Sequence, residues 1–369
     1  MEIDLFGNRI ISRNIETEGI KYAGSKLKLI NHILDSIKDL DVKNVLDGFS
    51  GTTRVSQALA SLNYNVTASD ISYWSEVFGK CYLLADKDIR YYSELINHLN
   101  SVDPFEGWFS EYYGGTPETK EKRPFQLKNA MKLDGIREEI ENLKLNDVDK
   151  SVALTSLILA LDKVDNTLGH YVSYLKKWSP RSYNDLIMIL PKIVKSNGVH
   201  EVIRGDIFET LTAKEFDLCY FDPPYGSNNE KMPPSRVRYA SYYHIWTTII
   251  KNDKPEIFGK ANRRIDTKDT VASSIFEEFR KDEDGHFIAM NAIRRMIELA
   301  KTRYVLLSYS SGGRATKSEL IDILNSSGKI IKALEIDYKH NVMGSMRWTN
   351  DWVNSDNKHQ EYLFLLEKN

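Results

Sequence analysis

The chain has 369 residues, 41% of them hydrophobic and 28% charged, with a formal net charge of −2. That length exceeds what one compact core usually encloses, so two domains, or one domain with a large insertion, are expected. No apolar run approaches the roughly 20 residues of a membrane span, and residues 1–6 lack the basic flank and long apolar core of a signal peptide. The two cysteines, Cys81 and Cys219, lie far apart, the second inside an apolar run, which argues against a disulfide framework or a zinc site. A cytoplasmic protein without a metal is the expectation.

Near the start, Lys21-Tyr22-Ala23-Gly24-Ser25-Lys26 combines a glycine for a tight turn, a serine able to cap a helix, an aromatic ring and a lysine able to pair with a carboxylate. Taken alone it is a capped helix start, and Leu27, Ile30, Ile33, Leu34 and Ile37 then recur at helical spacing. Val45-Leu46 reads as a short buried strand running into Asp47-Gly48-Phe49-Ser50-Gly51. A helix with Val55, Ala58, Leu59 and Leu62 on one face follows, and residues 65–70 form a second strand ending in Asp70. Strand, glycine-bearing turn, helix and strand make the first unit of a parallel α/β sheet.

From about residue 90 the pattern turns helical, over 127–145, 152–164 and 186–194, broken by loops such as Gly114-Gly115-Thr116-Pro117. The α/β pattern resumes at Glu201-Val202-Ile203. It continues through the strand 216–221, a helix over 287–300, the strand 304–308 and a helix over 317–324. Two closing strands, 330–337 and 362–366, flank an Asn- and Asp-rich stretch that predicts a hairpin and an antiparallel sheet edge. The expected organisation is an α/β domain from residues 1–90 and 200–369, interrupted by a helical insertion over 91–199.

Asp47, Asp70, Asp206 and Asp222 each stand at or just after a strand end, where open parallel sheets bind ligands. The turn from Gly48 to Gly51 lets a ligand approach the backbone closely. It is neither G-x-G-x-x-G nor G-x-x-x-x-G-K-[ST], so no dinucleotide fingerprint or ATP loop is supported. Asp70 follows Asp47 at about the spacing of an acid that binds ribose hydroxyls; a helix cap is the other reading of the same residue. Asp222-Pro223-Pro224-Tyr225 ends an apolar strand in a rigid corner. Its prolines leave carbonyls without competing donors. A carboxylate, a free carbonyl and a ring suit a planar group that bears an NH2.

In this order the motifs resemble the class α, D12 or Dam-like, N6-adenine DNA methyltransferases, in the branch of type II modification methylases. The resemblance implies a Rossmann-like S-adenosylmethionine-dependent methyltransferase sheet with an antiparallel edge strand, and a helical insertion that recognises the target. It implies an S-adenosylmethionine site made by Tyr22, Lys26, Asp47, Gly48, Phe49, Ser50 and Gly51, with Asp70 on the ribose, Asp206 near the adenine and Asp222 adjoining. No metal is required. Asp222, Pro223, Pro224 and Tyr225 would hold an adenine flipped out of duplex DNA. The same resemblance implies a modification enzyme of a restriction–modification system, monomeric, in a bacterium or encoded by a phage. A cognate endonuclease would act on the same site without a stable complex.

Contacts to double-stranded DNA are expected from two tracts. Residues 226–264 carry eight basic residues against three acidic ones, among them Arg236 and Arg238, followed by Tyr239, Tyr242, Tyr243 and His244, a mixture suited to phosphates and a disturbed base stack. Residues 173–181 add Lys176, Lys177 and Arg181 beside Tyr174 and Trp178, where packing of the two rings into a helical core is an equal reading. Two alternatives stay open: an RNA adenine or guanine amino-methyltransferase of the same fold, and a non-catalytic DNA-binding relative. Asp222 weighs against cytosine-N4 and glutamine methylation, whose corners more often lead with Ser or Asn.

Overall fold

The structure is a computed structural model that describes residues 15–118, 123–226, 239–268, 274–278, 280–337 and 360–369. Seven strands form one sheet: β1 (Asn44–Asp47), β2 (Asn65–Asp70), β3 (Glu201–Arg204), β4 (Phe216–Phe221), β5 (Thr302–Ser310), β6 (Gly328–Asp337) and β7 (Gln360–Lys368). Their order is β6-β7-β5-β4-β1-β2-β3. Neighbours from β5 to β3 pair in parallel, whereas β7 runs antiparallel to both β5 and β6. The closing hairpin thus forms the sheet edge as expected, with the reversed strand β7 one place in from the rim. Chain order reverses at β1, between β2 and β4. That switch point opens a crevice at the carboxyl ends of β1 and β4.

Twelve helices are described: α1 (Ile30–Ile37), α2 (Arg54–Ser61), α3 (Tyr73–Leu84), α4 (Ile89–Ser101), α5 (Trp108–Tyr113), α6 (Leu127–Asn142), α7 (Asp147–Val164), α8 (Ile207–Ala213), α9 (Tyr239–Tyr242), α10 (His244–Lys251), α11 (Ile288–Leu299) and α12 (Lys317–Ser327). In α1 the periodic residues Ile30, Ile33, Leu34 and Ile37 are buried, while Leu27 precedes the helix and is 51% exposed.

Strand β4 is apolar on both faces because helices cover both. Cys219 and Phe221 face α8, α11 and α12, whereas Leu218 and Tyr220 face α1 and α2. A third core holds α4, α5, α6 and α7. It also takes in Trp74, Val77, Phe78 and Tyr82 of α3, and Ile245, Trp246 and Ile249 of α10. The helical region 91–199 therefore shares its interior with a helix on either side of it in sequence.

Residues 186–194, expected as a helix, form none. Leu186 and Met188 are buried and Ile187 is 61% exposed, an alternation of period two that a helix would scramble. Asn100 holds the segment extended, its side chain bonding both the carbonyl and the N–H of Met188 at 2.9 Å. Pro191 withholds a donor as well.

Candidate active site

Strand β1 delivers Asp47 to the crevice, 1% exposed. Its Oδ2 accepts from the Ser56 hydroxyl at 2.6 Å, and its Oδ1 is buried with no hydrogen-bond partner among the described residues. Burial pushes the carboxyl up to about 7, against the Ser56 bond that lowers it. Gly48 is tightly packed: a Cβ there would lie 2.8 Å from the Phe221 ring. Gly51 takes φ +49°, and its N–H donates to Asp70 Oδ2 at 2.9 Å. Asp70 Oδ1 accepts from the Ser72 N–H at 2.8 Å, so the acid at the end of β2 braces the glycine turn beside it. Burial also raises the Asp70 carboxyl, opposed by these bonds.

The segment before α1 closes the crevice from one side. Gly24 turns at φ +79°, where a Cβ would meet the Tyr239 hydroxyl at 2.8 Å. The Tyr22 ring lies against Gly51 and stacks on Tyr243 at 4.8 Å, which in turn stacks on Trp246 at 4.2 Å. The Ala23 N–H donates to the Tyr243 hydroxyl at 2.7 Å, which ties this segment to α10. Lys26 is buried; its Nζ lies 2.6 Å from Glu361 Oε1 and 3.8 Å from Asp222 Oδ2, and donates to the Tyr225 hydroxyl.

Strand β4 delivers the Pro-Pro corner opposite. Asp222 Oδ1 is buried without a hydrogen-bond partner among the described residues, and burial raises its carboxyl well above the usual range, with Lys26 the main opposing influence. Asp47, Glu361 and Asp70 push the same way as burial. Pro223 is buried and Pro224 half-buried. The Tyr225 hydroxyl donates to Glu361 Oε1 at 2.5 Å, and its carbonyl accepts from the Arg314 N–H at 2.8 Å and the Tyr309 hydroxyl at 3.3 Å. Tyr22, Lys26, Asp47, Phe49, Gly51 and Asp222 share the lining of one cleft, together with Ser50 and Arg54. Arg54 Nε is buried and has no hydrogen-bond partner among the described residues.

Other expected residues lie elsewhere. Asp206 is exposed and caps α8, accepting from the Phe208 N–H at 2.8 Å. The Arg181 guanidinium is held by Asp165 at 2.5 Å and the Thr167 carbonyl at 2.6 Å. Lys176 and Lys177 are exposed, and the Tyr242 ring packs on His170 at 4.8 Å. Tyr174 and Trp178 serve packing, donating to the carbonyls of Ala261 at 2.6 Å and Thr116 at 3.1 Å. Arg236 and Arg238 lie outside the described residues. Among the described residues no cluster of His, Cys, Asp and Glu could hold a metal ion.

Two residues that sequence reasoning did not single out complete the site, Glu361 and Ser308. Tyr243 and His244, expected to touch DNA, are instead fully buried, Tyr243 stacking on both Tyr22 and Trp246. Glu361 stands just ahead of the apolar run 362–366, where an acid reads as a solvent-facing strand position. For Ser308, nothing in local sequence separates it from an ordinary core residue.

A family model described as D12 class N6 adenine-specific DNA methyltransferase matches residues 22–310. The type II methyltransferase M.FokI of Planomicrobium okeanokoites is 27% identical over 95% of this chain and 53% of its own length. The modification methylase LlaI of Lactococcus lactis subsp. lactis is 28% identical over 82% of this chain and 48% of its own. The chain thus spans about half the length of these two relatives. With the type II methyltransferase M.NlaIII of Neisseria lactamica the match is 25% identical over 95% of this chain and 99% of that one.

Proposed function

The chain belongs to the D12 class N6 adenine-specific DNA methyltransferase family, and from that premise we propose that it methylates N6 of an adenine flipped out of duplex DNA, at the corner Asp222-Pro223-Pro224-Tyr225. The observation that carries the reading is Asp222 itself: a buried carboxyl with an unpartnered oxygen, at the sheet's switch point, next to a ring held by its hydroxyl. A buried acceptor left open is costly unless a ligand completes it.

The cleft fits S-adenosylmethionine by its donor set. Among the described residues, Asp47 Oδ1 and Asp222 Oδ1 are open acceptors on the two carboxyl groups of the cleft lining, suited to a ligand bearing positive charge, and Arg54 Nε suits its carboxylate. Tyr22, Lys26, Gly48, Phe49, Ser50 and Gly51 would enclose it and Asp70 would take the ribose hydroxyls. Asp206 joins only through the adenine end, since it lies outside the cleft lining. Bound there, the cofactor would supply an electrophilic methyl group on a sulfonium, a leaving group able to keep the C–S electron pair.

The rest is done by the chain's own residues. Asp222 and the Pro223 carbonyl accept the two amino hydrogens, which directs the nitrogen lone pair along one line. Tyr225 stacks on the base, and Pro224 fixes the corner. Asp222 stabilises positive charge as it grows on nitrogen, and the proton can leave after transfer. The helical region 91–199, with exposed Lys176 and Lys177, and the basic tract containing Arg236, Arg238 and Tyr242 would grip the duplex and choose the site. Arg181 would act there by bracing the fold rather than by touching phosphate. We place the chain as a monomer in the cytoplasm of a bacterium or a phage-infected cell, the modification partner of an endonuclease reading the same sequence; among the described residues no helix is long and apolar enough to cross a membrane.

Labelled S-adenosylmethionine incubated with the protein and plasmid DNA tests this. Label should enter duplex DNA, and Asp222→Ala should lower the rate by at least about 100-fold while cofactor binding stays measurable. Label entering RNA but not duplex DNA would favour the RNA amino-methyltransferase alternative, and no transfer with retained DNA binding the non-catalytic one. Full activity in Asp222→Ala would sink the mechanism.

A further inference from the structure

Glu361 sits on the reversed strand β7, 7% exposed, and a single oxygen of it gathers three donors from three separate stretches of chain. Oε1 accepts from Lys26 Nζ at 2.6 Å, from the Tyr225 hydroxyl at 2.5 Å and from Ser308 Oγ at 2.8 Å. Lys26 comes from the segment before α1, Tyr225 from the corner after β4 and Ser308 from β5, so the carboxylate joins pieces that the fold otherwise only brings near one another. An acid used merely to fill a core would be poorly chosen, because an apolar side chain of like volume does so without desolvating a charge.

Lys26 stands between two carboxylates. Its Nζ is 2.6 Å from Glu361 and 3.8 Å from Asp222, and Coulomb attraction grows as distance shrinks, so the present arrangement draws the ammonium to the β7 side. Without the Glu361 charge, Asp222 would be the nearest acid to it among the ion pairs of the described residues. An Asp222 oxygen bonded to Lys26 is less able to accept from an amino group. The Tyr225 ring is fixed by the same carboxylate through its hydroxyl and is tilted against Tyr309 at 4.9 Å.

We propose that Glu361 is a positioning residue for methyl transfer: it anchors the Tyr225 ring and holds the Lys26 ammonium off Asp222, keeping that carboxyl open to the substrate amino group. The inference rests on the methyltransferase reading of the corner. Ser308 acts with it, supplying a third donor that keeps Oε1 in place.

The test compares wild type and Glu361→Gln in the full chain on duplex DNA that wild type methylates. It reads the single-turnover rate, the dissociation constants of DNA and S-adenosylhomocysteine, and a crystal structure of the variant. Glutamine keeps an acceptor for Tyr225 and Ser308 but lacks the charge. The rate should fall roughly ten- to hundredfold with both dissociation constants within about twofold. In the crystal structure Lys26 Nζ should move to about 2.8 Å from Asp222. In a Lys26→Met background the same Glu361→Gln change should cost little, because the ammonium it restrains is gone. A rate within about twofold of wild type, an equal loss in the Lys26→Met background, or a Lys26 that stays in place would each overturn the proposal. The crystallographic result needs no activity, so it separates failure of this inference from failure of the methyltransferase reading. If Glu361→Gln does not fold, Ser308→Ala carries the test: a rate loss of about threefold at unchanged dissociation constants supports the proposal, and no loss overturns it.

Discussion

Asp47 has one oxygen bonded to Ser56 and the other buried without a partner among the described residues, and burial raises its carboxyl to about 7. An unfolded aspartate titrates near 4. Between about pH 4 and pH 7 the folded chain therefore holds a proton that the unfolded chain has released, and the stability this confers is lost as pH rises through that window. Asp47→Asn keeps the acceptor for Ser56 and removes the titration. The gap in Tm between pH 5 and pH 8 should narrow, by roughly 2–4 °C, while S-adenosylmethionine affinity drops about tenfold or more. Thermal melts at both pH values with calorimetric titration check this; an unchanged gap would count against the buried charge. Asp47, Asp70 and Asp222 were legible because a strand followed by an acid is a local pattern. Glu361 was not, since an acid within a strand reads as a solvent-facing position. Its burial depends on β7 lying between β5 and β6, and its Lys26 partner is 335 residues away.

Helix α10 shows how an element away from the sheet supports the site. Trp246 and Tyr243 at its start carry the Tyr22 stack, and its end is closed by Arg137 of α6, 1% exposed. That guanidinium donates to the carbonyls of Ile249 at 2.5 Å and Ile250 at 3.1 Å, and pairs with Glu141 at 2.6 Å. These are carbonyls in the last turn of the helix, where intrahelical donors run out. Arg137→Ala should cost about 2–4 kcal/mol in chemical denaturation and weaken cofactor binding through the loosened stack. A loss below about 0.5 kcal/mol would show that α10 closes without it. Elements with a strong period were legible, α1, α2 and β4 above all. Residues 186–194 misled because a short apolar run gives no clear period and side-chain amides, not local propensity, hold its backbone extended.

The described residues pack into three cores, one on each face of the sheet and one centred on the helical region 91–199. The third binds α3 and α10 into the helical region, so that region is not a detachable insert on the sheet. Replacing residues 91–199 by a short linker would bare Phe78 and Tyr82 of α3 and Trp246 of α10. The shortened chain should be insoluble or lack a cooperative melt; a soluble, cooperatively folding product would contradict the shared core. The alternation of α/β and helical patterns was legible along the chain, but this sharing was not, because it arises from packing between segments distant in sequence, α3 and α10 against α7. Lys21 adds to it, bridging from the first motif to Asp162 and Asp165 at the end of α7.

For the molecule as a whole, the decisive quantity is the chemical identity of the methylated product. Plasmid DNA treated with the protein and S-adenosylmethionine, then digested to nucleosides and resolved by mass spectrometry, should contain N6-methyladenine in wild-type reactions and none above background with Asp222→Ala. Methyl groups found on cytosine, or N6-methyladenine formed equally well by Asp222→Ala, would contradict the role assigned to the corner at Asp222.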